Sequence, residues 1–172
     1  MIEVREAAAA DLEAMLMIYN DAVINTTAVY DYTPRSFQAQ TIWFENKRNE
    51  RNPVLVAVEA DTVVGFASYG PFRPWPGYRH TVENAIYIAP DRRGRGIGTQ
   101  LLGPLVVIAQ QRGHHAMVAG IDADNEASLR LHRKLGFEQV GHFRQVGWKF
   151  DRWLDLVFMQ RFLGVPGAAP RR

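Results

Sequence analysis

The chain has 172 residues, enough for one domain with a single sizeable core. Hydrophobic residues make up 47%, charged residues 22%, and the formal net charge is +2; this excludes a disordered or fibrous chain and gives no general attraction to nucleic acid. With no cysteine, disulfides, thiolate-metal sites and a cysteinyl thioester intermediate are excluded, and no metal site is expected.

The N-terminus shows no basic segment followed by an apolar run, and no stretch approaches 18 uninterrupted apolar residues. The expected location is the cytoplasm, with no membrane partner. Ile2 to Arg5 reads as a strand. Asp11 reads as a helix N-cap, followed by Leu12, Met15, Leu16 and Tyr19 at helical spacing. Ser36 caps a second helix with Phe37, Thr41 and Phe44 along one stripe. Val54, Val56 and Val58 alternate as strand residues do, Asp61 and Thr62 turn the chain, and Val63 to Tyr69 returns as a second strand.

Gly70 to His80 is a loop rich in Gly, Pro and aromatics, and Thr81 to Ile88 is the next strand. A glycine-rich turn, Arg93 to Gly98, leads into a helix through Arg112, in which Pro104 predicts a kink or local support. Met117 to Ile121 is a strand. Asn125 to Leu135 is a helix closed by Gly136. Phe137 to Phe143 and Trp153 to Arg161 are two last strands. The reading gives one domain over residues 1–163 and a frayed tail over 164–172. This order of elements fits an α/β (α+β) mixed sheet with flanking helices.

The sharpest motif is Arg93-Gly94-Arg95-Gly96-Ile97-Gly98-Thr99 between a strand and a helix. Glycines let a ligand reach the backbone, successive N–H groups and the helix N-terminus attract anions, and arginines add charge-assisted bonds. A pyrophosphate suits such a turn. No lysine follows Gly98, so this is no Walker loop, and Thr99 stands where a dinucleotide fingerprint counted from Gly94 needs its third glycine. Three arginines in one turn are too local for a nucleic-acid track.

Here the chain resembles the GCN5-related N-acetyltransferase (GNAT) family. Arg93, Gly96 and Gly98 match its acetyl-CoA loop. Asn125, Ser128, Leu131, Lys134, Leu135, Gly136 and Phe137 match a second run, in which His132 replaces the family tyrosine. Tyr30-Asp31-Tyr32-Thr33-Pro34, Tyr69-Gly70-Pro71-Phe72-Arg73, Thr81-Val82-Glu83 and Gly147-Trp148-Lys149 resemble the phosphinothricin and methionine sulfoximine acetyltransferase subgroup. The resemblance implies a GNAT-like fold with a mostly antiparallel central sheet, a homodimer, and direct transfer of acetyl from acetyl-CoA to the α-amino group of an amino acid or analogue. It also implies that Ile86, Tyr87 and Ile88 lie beside the pantetheine arm, one of their N–H groups being freed by a bulge to bind the oxyanion. Arg93 to Thr99 (Arg93, Gly94, Arg95, Gly96, Ile97, Gly98, Thr99) would hold the pyrophosphate, with Asn125 and Ser128 on the pantetheine chain.

Acetyl transfer needs a neutral amine, so a proton acceptor is useful. Glu83, at the start of the strand leading to the glycine turn, is the candidate base; the other reading is a plain strand-end carboxylate. His132 is the candidate proton donor to the leaving thiolate, or else a packed helix residue. Phe72, Arg73, Trp75, Tyr78 and Arg79 suit a small carboxylate-bearing ligand with an apolar body, or else a lid packed on the core. Protein or peptide acetylation and a non-catalytic acyl-CoA-binding module are the competing functions.

Overall fold

The computed structural model describes residues 1–164 and Gly167; the frayed tail expected beyond Gly164 otherwise lies outside the described residues. Among the described residues, seven strands form one sheet: β1 Ile2–Glu6, β2 Val54–Glu59, β3 Thr62–Pro71, β4 Thr81–Ile88, β5 Ala116–Asp122, β6 Glu138–Lys149 and β7 Arg152–Phe162. Four α-helices flank it: α1 Leu12–Asn25, α2 Phe37–Asn49, α3 Ile97–Gln111 and α4 Glu126–Lys134. The spatial order is β1-β2-β3-β4-β5-β7-β6. Neighbours are antiparallel except β4 and β5, which are parallel. The mostly antiparallel mixed sheet is the one expected.

Helix α3 covers one face. Leu101, Leu102 and Leu105 are fully buried there against Ala67, Val82 and Met117, and the helix runs through Pro104 without a break. Helices α1 and α2 cover the other face, where Met15, Ile18 and Phe44 pack on Val54, Val56 and Phe66. Burying side chains of this size is worth about 1.5–3 kcal/mol each, so both faces hold the sheet.

Four local expectations change. Asp11 stands at the N-cap position of α1, as expected, but its side chain makes no capping bond to the helix. Its carboxylate turns back to accept the Ala8 N–H at 2.7 Å and two guanidinium bonds from Arg5 at 2.7 and 2.9 Å, joining β1 to the turn before the helix. Ser36 does cap α2, accepting the Ala39 N–H at 3.1 Å. That helix, however, buries Gln40 with Phe44 while Phe37 is exposed.

The β2–β3 turn is Ala60-Asp61, both at positive φ, as a two-residue hairpin between right-twisted strands requires. The last hairpin turns in the same way at Phe150-Asp151. Strand β6 therefore continues well past Phe143. The expected stop there coincides with a register shift between Phe143 and Gly147, where Gln145 takes φ 52°; the strand resumes beyond it.

Candidate active site

Strands β4 and β5 pair only over Thr81–Glu83 against Ala116–Val118, and then part. The Asn84 side chain stands at the parting, its amide donating to the Val118 C=O at 3.1 Å. On the other edge β4 stays fully paired with β3, from Val82 opposite Pro71 to Ile88 opposite Gly65. The Phe72 N–H donates to Thr81 and the Ala89 N–H to Val64. In an antiparallel ladder this alternation turns the polar groups of Ile86 and Ile88 to the open edge. The expected bulge in β4 is absent, since the β3–β4 register has no shift; divergence from β5 frees these N–H groups instead.

A groove of about 620 Å³ runs along this open edge, within the range of small-molecule sites. Ile86, Tyr87 and Ile88 form one wall, Asn125, Ser128 and Leu131 of α4 another, and Arg93, Gly94 and Gly96 to Thr99 the far end. Gly94 and Gly96 have φ of 77° and 79° with open space where a Cβ would stand. The turn thus presents bare backbone to the groove, and the first N–H groups of α3 aim the same way. Gly98 differs: a Cβ there would meet Leu131 Cδ2 at 2.8 Å, so this glycine lets α4 approach α3. The Asn125 side chain accepts the Ser128 N–H at 3.1 Å and caps α4.

The arginines divide. Arg93 lines the groove, donating to Asp21 at 3.0 Å and to the Ile88 C=O at 3.3 Å. Arg95 lies off the groove wall on Glu59, at 3.2 and 3.3 Å. Arg92 lines the groove and pairs with the same carboxylate at 3.1 Å. Thr26, Thr27 and Ala28 close the groove from the α1 side. Their loop is tied down by Lys149, whose buried Nζ donates to the C=O groups of Val23, Thr26 and Val29 at 2.5, 2.8 and 2.7 Å.

Glu83 projects to the α1–α2 face of the same strand. Its carboxylate faces Arg73 at 3.8 Å and reaches across the parting to Gly120 of β5, where a Cβ would stand 3.2 Å from Oε1. Burial raises its pKa above the ordinary value, while the Arg73 charge and the Gly120 N–H pull it down. Glu83, Ala85 and Tyr87 also line a second cavity of about 80 Å³ on this face. Tyr87 borders both cavities, so they meet across β4.

Of the loop residues, Phe72 and Arg73 reach Glu83's neighbourhood, the guanidinium stacking 4.0 Å over the Phe72 ring. Trp75 and Tyr78 are 64% and 44% exposed, and Arg79 donates to the His80 ring at 2.9 Å. None of these five loop residues lines either cavity.

His132 lies behind the groove wall rather than on it, 3% exposed. Its Nδ1 donates to the Ser128 C=O at 2.8 Å, and Nε2 faces the Asn84 oxygen at 3.2 Å. Two oxygen acceptors favour a doubly protonated ring, but burial lowers its pKa, only partly offset by the Ser128 bond. Asn84 was missed in the sequence. Its signal is that it is the one polar residue among the alternate positions Val82, Asn84, Ile86 and Ile88.

A bare-backbone anion turn, a strand edge opened by divergence, and a groove joining them are what a long thioester with a pyrophosphate requires. The family model for the acetyltransferase (GNAT) family matches residues 15–137. The chain belongs to that family. It is an acetyl-CoA-dependent N-acetyltransferase with acetyl-CoA as cosubstrate. The acetyltransferase is 49% identical over 168 residues to an L-methionine sulfoximine/L-methionine sulfone acetyltransferase of Pseudomonas aeruginosa, covering 97% of this chain and 98% of that one. A phosphinothricin acetyltransferase from Sinorhizobium meliloti, solved in complex with acetyl-CoA, superposes with a TM-score of 0.96 at 38% identity, covering 99% of this chain and 93% of that one. A structure named ribosomal-protein-alanine N-acetyltransferase from Brucella melitensis matches with a TM-score of 0.91 at 50% identity, covering 93% and 99%. No helix among the described residues is long and apolar enough to cross a membrane, and they contain no cluster of metal-ligating side chains.

Proposed function

We propose that this acetyltransferase acts on the α-amino group of a free amino acid or analogue of the methionine sulfoximine and phosphinothricin type. The observation that carries the reading is the juxtaposition of Arg73 and Glu83, 3.8 Å apart, with Glu83 on the strand whose later residues wall the groove. Arg73 offers a fork for the substrate carboxylate. Glu83, its pKa raised by burial, takes the proton of the ammonium. The neutral amine then attacks the thioester carbonyl, and the Ile86 or Ile88 N–H receives the developing oxyanion. The C–S bond breaks, the nitrogen sheds its extra proton, and the leaving thiolate takes it up to give the free thiol and the amide. His132 acts at one remove through Asn84, holding α4 against the parted strands. Arg93 gives up Asp21 for the pyrophosphate when acetyl-CoA binds, with Gly94 to Thr99 and Asn125 beside it.

The same reading makes residues 1–163 one catalytic unit located in the cytoplasm, and pairs two copies through the β6–β7 edge. Phe143, Val146, Trp148 and Trp153 are 50%, 53%, 44% and 56% exposed on that edge, and burying such rings anchors interfaces. A monomer mass in sedimentation at micromolar concentration would remove the dimer.

A protein substrate is the second reading, favoured by the name of the Brucella melitensis relative. One experiment separates them. Initial rates of thiol release are measured with methionine sulfone, methionine sulfoximine, phosphinothricin, common amino acids, polyamines and an alanine-initiated peptide. The expected order places the free amino-acid analogues first; a peptide preferred over all of them overturns the assignment and leaves the acetyl-CoA chemistry intact.

A further inference from the structure

The 80 Å³ cavity on the α1–α2 face of β4 contains two basic side chains that acetyl transfer itself does not employ. Arg35 enters from the segment between α1 and α2. Asn20 fixes its backbone on both sides, accepting the Arg35 N–H at 2.8 Å and donating to its C=O at 2.9 Å. The guanidinium lies 3.9 Å from the Tyr19 ring centroid and 5.4 Å from Trp43. Its side-chain partner is neutral: Gln40 Oε1, at 2.8 Å, on a fully buried residue.

Lys47 rises from α2 against the same indole, at 5.7 Å, and donates to the Tyr69 C=O at 2.7 Å. Burial lowers its pKa. Among the described residues, neither cation has a carboxylate within ion-pair distance. Glu83 lines the cavity too, but its partner is Arg73, on the loop after β3. Partly desolvated cations with only neutral partners are costly, and an anion or a strong oxygen dipole between them removes much of that cost.

We propose that Arg35 and Lys47 are specificity-determining residues: the cavity receives the end of the substrate side chain and selects amino acids that end in a strongly polar oxygen group. This rests on the free amino-acid reading above. The substrate amine stands at Glu83, its carboxylate is left to Arg73, and the side chain reaches inward past Ser68 and Tyr87, which line the same cavity. The small cavity suits a compact head such as a sulfone, sulfoximine, phosphinate or carboxylate. A site built to hydrogen-bond such a group discriminates against an analogue without it, because its own polar groups are then left unpaired.

The test compares methionine sulfone with norleucine, which has similar length and no side-chain oxygen. Wild type is expected to favour the sulfone at least about tenfold in kcat/KM. Lys47→Met and Arg35→Met are each expected to lower kcat/KM for the sulfone about 10–100-fold, chiefly through KM, and to leave norleucine within about twofold. Lys47→Arg, which keeps the charge, should retain the preference. Thermal melts and calorimetric acetyl-CoA affinity establish that each variant is folded. Equal losses on both substrates would overturn the proposal, since the cations would then hold the shared carboxylate or the fold. A wild type that does not prefer the sulfone overturns it without any variant. A wild type inactive on both amino acids, but active on the alanine-initiated peptide, sinks the amino-acid reading and this proposal together.

Discussion

The two cavities that meet at Tyr87 are made of different material. The groove proposed for acetyl-CoA is walled at one end by the bare backbone of the glycine turn, at Arg93, Gly94 and Gly96 to Thr99, with Gly94 and Gly96 at positive φ. The small cavity is walled by side chains, brought from α1, α2, β3, β4 and the segment holding Arg35. A backbone site depends on conformation and tolerates exchange of most flanking side chains. A side-chain site depends on each residue's length and charge, and so is free to change specificity while the first site stays the same.

That contrast predicts where substitutions act. The largest effect belongs to Glu83→Gln, which leaves the groove intact. It should lower kcat/KM about 10²–10⁴-fold at neutral pH with acetyl-CoA affinity unchanged, and part of the rate should return as pH rises and the amine is already neutral. The proposed mechanism needs the ionised carboxylate, and burial raises its pKa, so the acid limb of the wild-type kcat/KM profile should lie above the ordinary glutamate range. Arg73→Met removes a charge that lowers this pKa, so the limb moves further up. A limb that stays put in Arg73→Met would show that Glu83 is not the group being titrated.

Gly96→Asp attacks the other site. It adds left-handed strain of about 1–3 kcal/mol and a negative charge beside the phosphates. Calorimetry should show acetyl-CoA affinity reduced about 100-fold. KM for the amine, measured at saturating acetyl-CoA, should hold; loss of both together would erase the distinction between the two cavities. The smallest effect is expected at Gly98→Ala. Its Cβ would meet the end of the Leu131 side chain at 2.8 Å, which can give way, so thermal unfolding should register a cost of about 1 kcal/mol.

The same contrast governs what was legible in the sequence. The anion turn was readable because its parts are contiguous, and so was the hairpin of β2 and β3 with its alternating valines. Glu83 was readable from its place before the turn. Arg35, Lys47 and Gly120 were not: they lie in separate segments, and only the packing of α1 and α2 on the sheet, or the divergence of β5, brings them to Glu83. The full length of β6 was hidden for another reason. Its turn, Phe150-Asp151, takes positive φ with neither glycine nor asparagine, and the register shift before Gly147 interrupts the pattern. The loop aromatics Trp75 and Tyr78 drew attention by composition, yet composition does not distinguish a ring that faces a ligand from one that faces solvent.

The Lys149 clasp has a consequence for how the molecule is made. Its ammonium gathers the carbonyls of Val23, Thr26 and Val29 from across 126, 123 and 120 residues of chain, among the least local contacts in the structure. The stretch from β1 through α4 emerges from the ribosome first, and it contains the whole glycine turn. Yet Thr26 to Ala28, which close the groove opposite that turn, have only local bonds to α1 and to each other until the far end of β6 has been synthesised and has folded back. Long loop closure of this kind comes late, because its entropy must be overcome before its bonds form. A nascent chain therefore carries its phosphate turn well before it can enclose a cofactor.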